Sequence, residues 1–274
     1  MPNKNNKQEY KLIAVDLDDT LLDNELRVTA PVQEAVRRAV AAGVKFTFST
    51  GRMFRSAKPY AELLGLDVPL ITYQGALVIN PRTGEEFQYL PLPLDCAREI
   101  VTHIHTLGYH LNAYLDDELY MEQDTQEGRR YQDIARVQPV FVGDLLRILD
   151  RPPIKLLTIA EEPLLDRLSE ILIPKYAGRV HISKSKPYFL EFSHPLANKG
   201  AALEALAGHY GIKREEVIAV GDSYNDLEML EYAGLGVMVA NARDALKVKA
   251  DYVTKGSNGD GVIEVIEKFV IPRF

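Results

Sequence analysis

Apolar and polar positions divide the chain into three stretches. In the first, Leu12-Ile13-Ala14-Val15 reads as a fully buried strand that ends in acids. Thr29 can cap a helix with Pro31 in its first turn, and VQEAVRRAVAAG carries helical spacing to Gly43. Residues 44–50 predict a second strand, 52–64 a helix stopped by Gly65, and PLITYQG a third strand. Strands joined through helices, twice over, predict a parallel sheet covered by helices. Pro and Gly in NPRTGEE (80–86) then mark a turn or linker. A less regular stretch follows. It holds a helix at 97–107, strands near 111–114 and 119–121, the helical TQEGRRYQDIAR, the strand IKLLTIA, the helix PLLDRLSEILIPKY and strands near Val180 and Phe189. From Asn198 the first rhythm resumes with helix NKGAALEALAGHYG, strand VIAVG, helix NDLEMLEYAG, strand GVMVA and closing helix GVIEVIEKFV. The expected fold is α/β: a Rossmann-like parallel-sheet core made of residues 1–83 and 188–274, interrupted by an α+β insertion at 84–187.

Composition narrows the function classes. Hydrophobic residues make up 46% and charged ones 26%, the balance of a soluble globular protein. A formal net charge of −7 argues against a nucleic-acid partner, whose binding rests on many Lys and Arg contacts to phosphates. Cys96 is the only cysteine, so no intrachain disulfide can form. MPNKNNKQEY has no apolar core and reads as a frayed lead-in rather than a secretory signal. No apolar run approaches the roughly 18–20 residues that cross a bilayer. A cytoplasmic protein without membrane partners is the simplest expectation.

In an open parallel sheet, ligands bind beyond the carboxyl ends of the strands. Four clusters fall there. Asp16-Leu17-Asp18-Asp19-Thr20 places Asp16 and Asp18 on one side of an extended segment. Such a pair binds a hard cation or divides labour as nucleophile and acid/base; alternatively it is a turn whose aspartates cap amides, the reading that suits Asp19 and Asp23. A calcium loop does not fit, because Leu21 and Arg27 stand where glycine and glutamate are required. Ser49-Thr50-Gly51-Arg52 offers a hydroxyl and free amides at a helix start, an anion cradle or an ordinary cap. Asn198-Lys199-Gly200 puts a lysine at a helix start, where the dipole disfavours it unless an anion is near; a surface lysine is the plain alternative. VIAVGDSYND delivers Asp222, Asn225 and Asp226 at the end of a buried strand, a set that in isolation also suits a cap box. Taken together, the four clusters suit a divalent metal paired with a phosphate. His103 and His105 diverge on their helix, and no His/Cys set suggests zinc.

DLDDT, STGR, NKG and GDSYND resemble, in order and spacing, the four motifs of the haloacid dehalogenase-like superfamily, most closely its Cof-type sugar-phosphatase branch with a large α+β cap. The resemblance covers nearly the whole chain. It implies that Asp16 is a nucleophile forming a phospho-aspartate and Asp18 the general acid/base. Mg²⁺ would be held by the Asp16 carboxylate, the Asp18 main-chain carbonyl and Asp222. Phosphate would meet the Leu17 amide, Thr50, Gly51, Lys199 and Asn225, with Asp226 supporting Lys199 or a metal-bound water. The implied partner is a small phosphorylated metabolite such as a sugar phosphate. Gln74 stands where the branch often has Asn, a departure expected to touch the hinge or pocket edge rather than the chemistry. Hinges are expected at 81–84 and 186–189, and Tyr114, Asp116, Arg129 and Lys184 are cap groups within possible reach of substrate. A phosphomutase or phosphotransferase using the same aspartate, a phospho-aspartate switch and a silent metabolite-binding protein remain alternatives, and oligomeric state is open.

Overall fold

The computed structural model describes residues 9–271, so the expected polar lead-in at 1–10 lies outside the described residues except for Glu9 and Tyr10. The first stretch forms β1 (Leu12–Val15), α1 (Ala30–Ala41), β2 (Lys45–Phe48), α2 (Phe54–Leu63), β3 (Leu70–Thr72), β4 (Leu77–Ile79) and β5 (Glu86–Tyr89). The second forms α3 (Leu94–Leu107), β6 (His110–Leu115), β7 (Glu118–Met121), α4 (Gln126–Ala135), β8 (Val140–Phe141), β9 (Lys155–Ile159), α5 (Glu162–Lys175), β10 (His181–Lys186) and β11 (Phe189–Ser193). The third forms α6 (Lys199–His209), β12 (Val217–Gly221), α7 (Leu227–Tyr232), β13 (Leu235–Met238), α8 (Asp244–Lys247), β14 (Tyr252–Val253) and α9 (Asn258–Val265).

Five strands make the parallel core sheet in the order β14-β13-β12-β1-β2. Every residue of β1 and β12 is buried, as strands covered by helices on both faces require. Val15 pairs with Val220 and Phe48, which brings the chain ends after β1, β2 and β12 side by side. The α/β core and the inserted α+β domain are as the sequence predicts. A parallel bridge between Ser49 and Ile71 carries the sheet on to β3, which opens an antiparallel β3-β4-β5 sheet.

The insertion is built on a six-stranded sheet in the order β10-β11-β9-β6-β7-β8. Strand pairing shifts both expected boundaries later. Asn80–Glu85 is the turn of the β4/β5 hairpin, not a linker, since the Asn80 amide donates to the Glu85 carbonyl and β5 pairs with β4. At the other end β11 pairs with β9 and β10, so residues 188–193 belong to the cap sheet and not to the core. We therefore place the crossings near 90–93 and 194–197 rather than at 81–84 and 186–189. Among the described residues one apolar cluster joins the domains, with Met53, Tyr73 and Leu77 from the core packed among Tyr114, Tyr131 and Phe189 of the cap. Polar contacts reinforce it: Ser56 Oγ donates to the Ala135 carbonyl at 2.6 Å, and Tyr73 Oη to Asp117 Oδ1 at 2.8 Å. The cap is closed on the core.

Candidate active site

Asp16 follows the last residue of β1, and its amide donates to the Val220 carbonyl of β12 at 3.0 Å, fixing it between the two central strands. Asn198 caps α6 by accepting from the Ala201 amide at 2.7 Å, which aims Lys199 inward from the first turn. The lysine is not on the surface. Its side chain is 0% exposed, and Nζ donates to Asp16 Oδ1 and Asp226 Oδ1, both at 2.6 Å. Burial alone would lower its pKa, but the two carboxylates outweigh burial and raise it. Asp226 turns its second oxygen to the amides of Asp222 and Ser223, each at 3.0 Å, and so ties the loop after β12 to Lys199. That loop closes only over glycine, because a Cβ at Gly221 would lie 2.5 Å from the Asp226 carboxyl carbon.

Asp16, Asp222 and Asp226 each bring one carboxylate oxygen into a group whose atoms all lie within 4.8 Å of one another. Three carboxylates face one lysine. Burial pushes Asp16 well above the usual carboxylate range, with the neighbouring acids adding to the effect and Lys199 partly opposing it. Asp222 is pushed up to about 7, first by burial and then by Asp226. Thr20 Oγ1 donates to Asp222 Oδ1 at 2.9 Å and so orients it. An all-oxygen, over-negative donor set of this kind fits a hard divalent cation such as Mg²⁺. Asp226 is already engaged by Lys199 and two amides, which leaves Asp16 and Asp222 as the available side-chain ligands.

The side chain of Asp18 does not join that group. Arg52 Nε donates to Oδ2 at 2.8 Å and Nη2 to Oδ1 at 2.7 Å, a two-pronged pair. Burial would raise the Asp18 pKa, but this guanidinium outweighs burial and holds it below its ordinary value. Thr50 is buried and accepts from the Arg52 amide at 3.2 Å, leaving its hydroxyl hydrogen free to be aimed elsewhere. Asp23 caps its own turn, accepting from the Glu25 and Arg27 amides, each at 2.9 Å. Asp19 is exposed and pairs with the cap lysine Lys186 at 3.2 Å.

A cavity of about 110 Å³ joins these groups: Asp16, Asp18, Thr50, Gly51, Asp222 and Asn225 all line it. The buried Leu17 lies in the turn after β1, while Lys199 and Asp226 stand behind the lining acids. The cap contributes Tyr131, Leu157 and Phe189 as an apolar wall, with Lys155, Ser185 and Glu191 as polar groups. Lys155 Nζ donates to the Gly51 carbonyl at 3.0 Å and to Glu191 Oε2 at 3.3 Å, and Ser185 Oγ donates to Glu191 Oε1 at 2.5 Å. Sequence reasoning missed these three. The expected cap contacts do not line the cavity: Tyr114 is buried behind it, Asp116 pairs with Arg151, Arg129 with Asp124 at 2.8 Å, and Lys184 with Asp166 at 2.6 Å. Gln74, assigned to an edge, is buried within the site.

The haloacid dehalogenase-like hydrolase family profile matches residues 13–266. The chain is 33% identical to the putative phosphatase YxeH of Bacillus subtilis over 274 residues, covering 96% of this chain and 100% of that one. It is 30% identical to the B. subtilis 5-amino-6-(5-phospho-D-ribitylamino)uracil phosphatase YitU, covering 94% and 97%. A crystal structure of a haloacid dehalogenase-like hydrolase from Bacteroides thetaiotaomicron superposes with a TM-score of 0.88 at 29% identity, covering 95% and 99%. This chain belongs to the haloacid dehalogenase-like hydrolases.

Proposed function

We propose that this hydrolase is a Mg²⁺-dependent phosphatase of small phosphorylated metabolites, working through a phospho-aspartate at Asp16. One observation carries the reading. Carboxylates from the ends of β1 and β12 and the Thr50 loop meet at one cavity, and a fully buried lysine from α6 backs it through Asp16, although residues 16 and 199 are 183 apart in the chain. Mg²⁺ would be held by the carboxylates of Asp16 and Asp222 with the Asp18 carbonyl, and when bound it supplies positive charge to the phosphoryl oxygens.

In the proposed reaction a carboxylate oxygen of Asp16 attacks phosphorus and the bond to the leaving oxygen breaks. Asp18 gives its proton to that oxygen. It then takes a proton from water, which attacks the phosphoryl group and releases Asp16 and inorganic phosphate. Asp18 begins ionised against Arg52, so it must gain a proton as substrate binds. An incoming phosphoryl dianion favours this uptake by like-charge repulsion, while Arg52 keeps the carboxyl aimed. Lys199, Thr50, Asn225 and the backbone at Leu17 and Gly51 would hold the phosphoryl oxygens, with Asp226 fixing Lys199.

The cap wall supports a polyol or sugar monophosphate. Lys155 pairs with Glu191, and Lys186, which also lines the cavity, pairs with Asp19, so the leaving-group side offers hydrogen bonds with its charges matched beside the Tyr131 and Phe189 rings. Such a surface suits hydroxyls and C–H faces better than a second phosphate or a carboxylate. YitU, whose name specifies a phosphorylated ribityl group, is consistent with this. The absence of a membrane-crossing helix among the described residues is consistent with a cytoplasmic enzyme. Phosphate release from a panel of phosphorylated metabolites with Mg²⁺ tests the proposal. Turnover of sugar or polyol monophosphates is expected, and no turnover of any member would reject it. Transfer of the phosphoryl group to a sugar hydroxyl instead of water would identify a mutase or phosphotransferase.

A further inference from the structure

The turn after β3 holds three consecutive residues in the left-handed region: Tyr73 at φ 50°, Gln74 at φ 58° and Gly75 at φ 93°. Only the last is glycine, so two side chains carry a conformation that L-residues disfavour. Backbone bonds hold the turn against the phosphate-cradle loop. The Tyr73 amide donates to the Arg52 carbonyl at 2.9 Å, and the Gln74 amide to the Thr50 carbonyl at 3.0 Å. Strain of this kind persists where the surroundings impose it, commonly at functional sites.

The strain delivers one side chain. Gln74 is 4% exposed and lines the cavity beside Thr50, Gly51 and Asn225. Its Oε1 accepts from Asn225 Nδ2 at 3.1 Å, which fixes the amide so that Nε2 points the other way. That Nε2 is buried with no hydrogen-bond partner. It sits directly over Gly51, where a Cβ would approach it to 2.5 Å, so a side chain at residue 51 would displace this amide. A buried amide donor without an acceptor is unfavourable, and a bound oxygen atom removes that cost.

We propose that Gln74 Nε2 is a phosphoryl-oxygen donor, which joins Thr50, Asn225 and Lys199 in holding the transferred group. The proposal rests on the phosphatase reading above and adds a residue to it. Gln74 is thereby a phosphoryl-binding residue and not an edge residue of the cap hinge. Its amide reaches the phosphoryl side of the cavity, because its two fixed neighbours are the Gly51 backbone and Asn225 rather than any cap side chain.

Inorganic phosphate is the test ligand because it carries the phosphoryl oxygens and no leaving group. Its affinity for the Mg²⁺-loaded protein is measured by calorimetry for wild type, Gln74→Met and Gln74→Glu. Met keeps the volume and removes the donor; Glu keeps the acceptor for Asn225 and replaces the donor with a carboxylate. Both are expected to weaken phosphate binding roughly ten- to hundredfold, the range of a lost hydrogen bond to a charged acceptor, with Glu the weaker. For Gln74→Met, which adds no charge to the cavity, Mg²⁺ affinity without phosphate should stay within about twofold. Unchanged phosphate affinity in both variants would overturn the proposal while leaving the phosphatase reading intact. Loss of fold in both would assign Gln74 a structural role and also overturn it. A wild-type protein that binds no phosphate with Mg²⁺ would reject the phosphatase reading and this proposal with it.

Discussion

Lys199→Met removes the one cation inside the acidic group while keeping an unbranched side chain of similar length. Breaking a buried ion pair from one side costs about 3–5 kcal/mol, because the remaining charge is stranded. The contacts indicate where the cost falls. Asp226 keeps two amide donors on Oδ2, whereas Asp16 loses the lysine bonded to its Oδ1. The cheapest response is for one carboxyl to become neutral. Relative to a reference pKa of about 3.9, that costs at most about 4 kcal/mol at pH 7, and because burial already raises Asp16 in the wild type the deficit is the part of this cost added by losing the lysine. The sign with pH follows. Burial already raises the Asp16 pKa in the folded state, and losing Lys199 raises it further. A raised carboxylate favours the fold below its unfolded pKa and disfavours it increasingly as pH rises toward the folded one. The deficit of the variant should therefore be largest near pH 8 and shrink toward pH 4.5. Thermal unfolding in chelator should show a midpoint lowered on the order of 10 °C at pH 8, with much of the gap closed at low pH. Added Mg²⁺ should recover part of the loss by restoring positive charge. A deficit below about 1 kcal/mol at pH 8, or one independent of pH, would refute the reasoning.

Two further outcomes follow from the same geometry. Because Asp222 is pushed up to about 7, mainly by burial, Asp16 is raised as well, and both must be ionised to hold a cation, Mg²⁺ affinity should rise with pH, by about tenfold per unit or more below 7. Calorimetry across pH 5.5–8.5 (about three units) checks this, and a flat profile would remove Asp222 from the ligand set. Glu191→Gln leaves Lys155 without its counter-charge at the leaving-group wall. It should lower kcat/KM for neutral polyol phosphates about tenfold while improving relative turnover of substrates with a second anionic group. An unchanged substrate ranking would mean that the pair serves the fold alone.

The sequence exposes the core of the site because its residues lie in short runs at strand ends. A buried strand such as Leu12–Val15 running into acids is unusual enough locally to raise the question of a cation. The cap side of the cavity leaves no such trace. Lys155 sits in IKLLTIA, where nothing in the pattern of a strand distinguishes an inward lysine from a solvent-facing one. Only the pairing of β9 with β6 and β11 turns it inward, opposite Tyr114 and Ser193. The boundary at residue 84 was hidden for a similar reason: Pro and Gly in 80–86 fit a linker and a hairpin turn equally well until β5 is seen paired with β4. Arg52 was visible in STGR, but its partner Asp18 lies 34 residues away, a distance that local pattern does not bridge. Gln74 differs again. Its chemistry depends on a left-handed turn at a non-glycine residue, which nothing in TYQGAL announces.

Covalent transfer to Asp16 is the central claim, and acid-quenched mass spectrometry of the peptide carrying Asp16, sampled during turnover with Mg²⁺, tests it most directly. The account predicts that this peptide gains the mass of one phosphoryl group at Asp16 and that Asp16→Asn yields neither the adduct nor free phosphate while still folding. Continued phosphate release by Asp16→Asn, or an adduct on any other side chain, would contradict it.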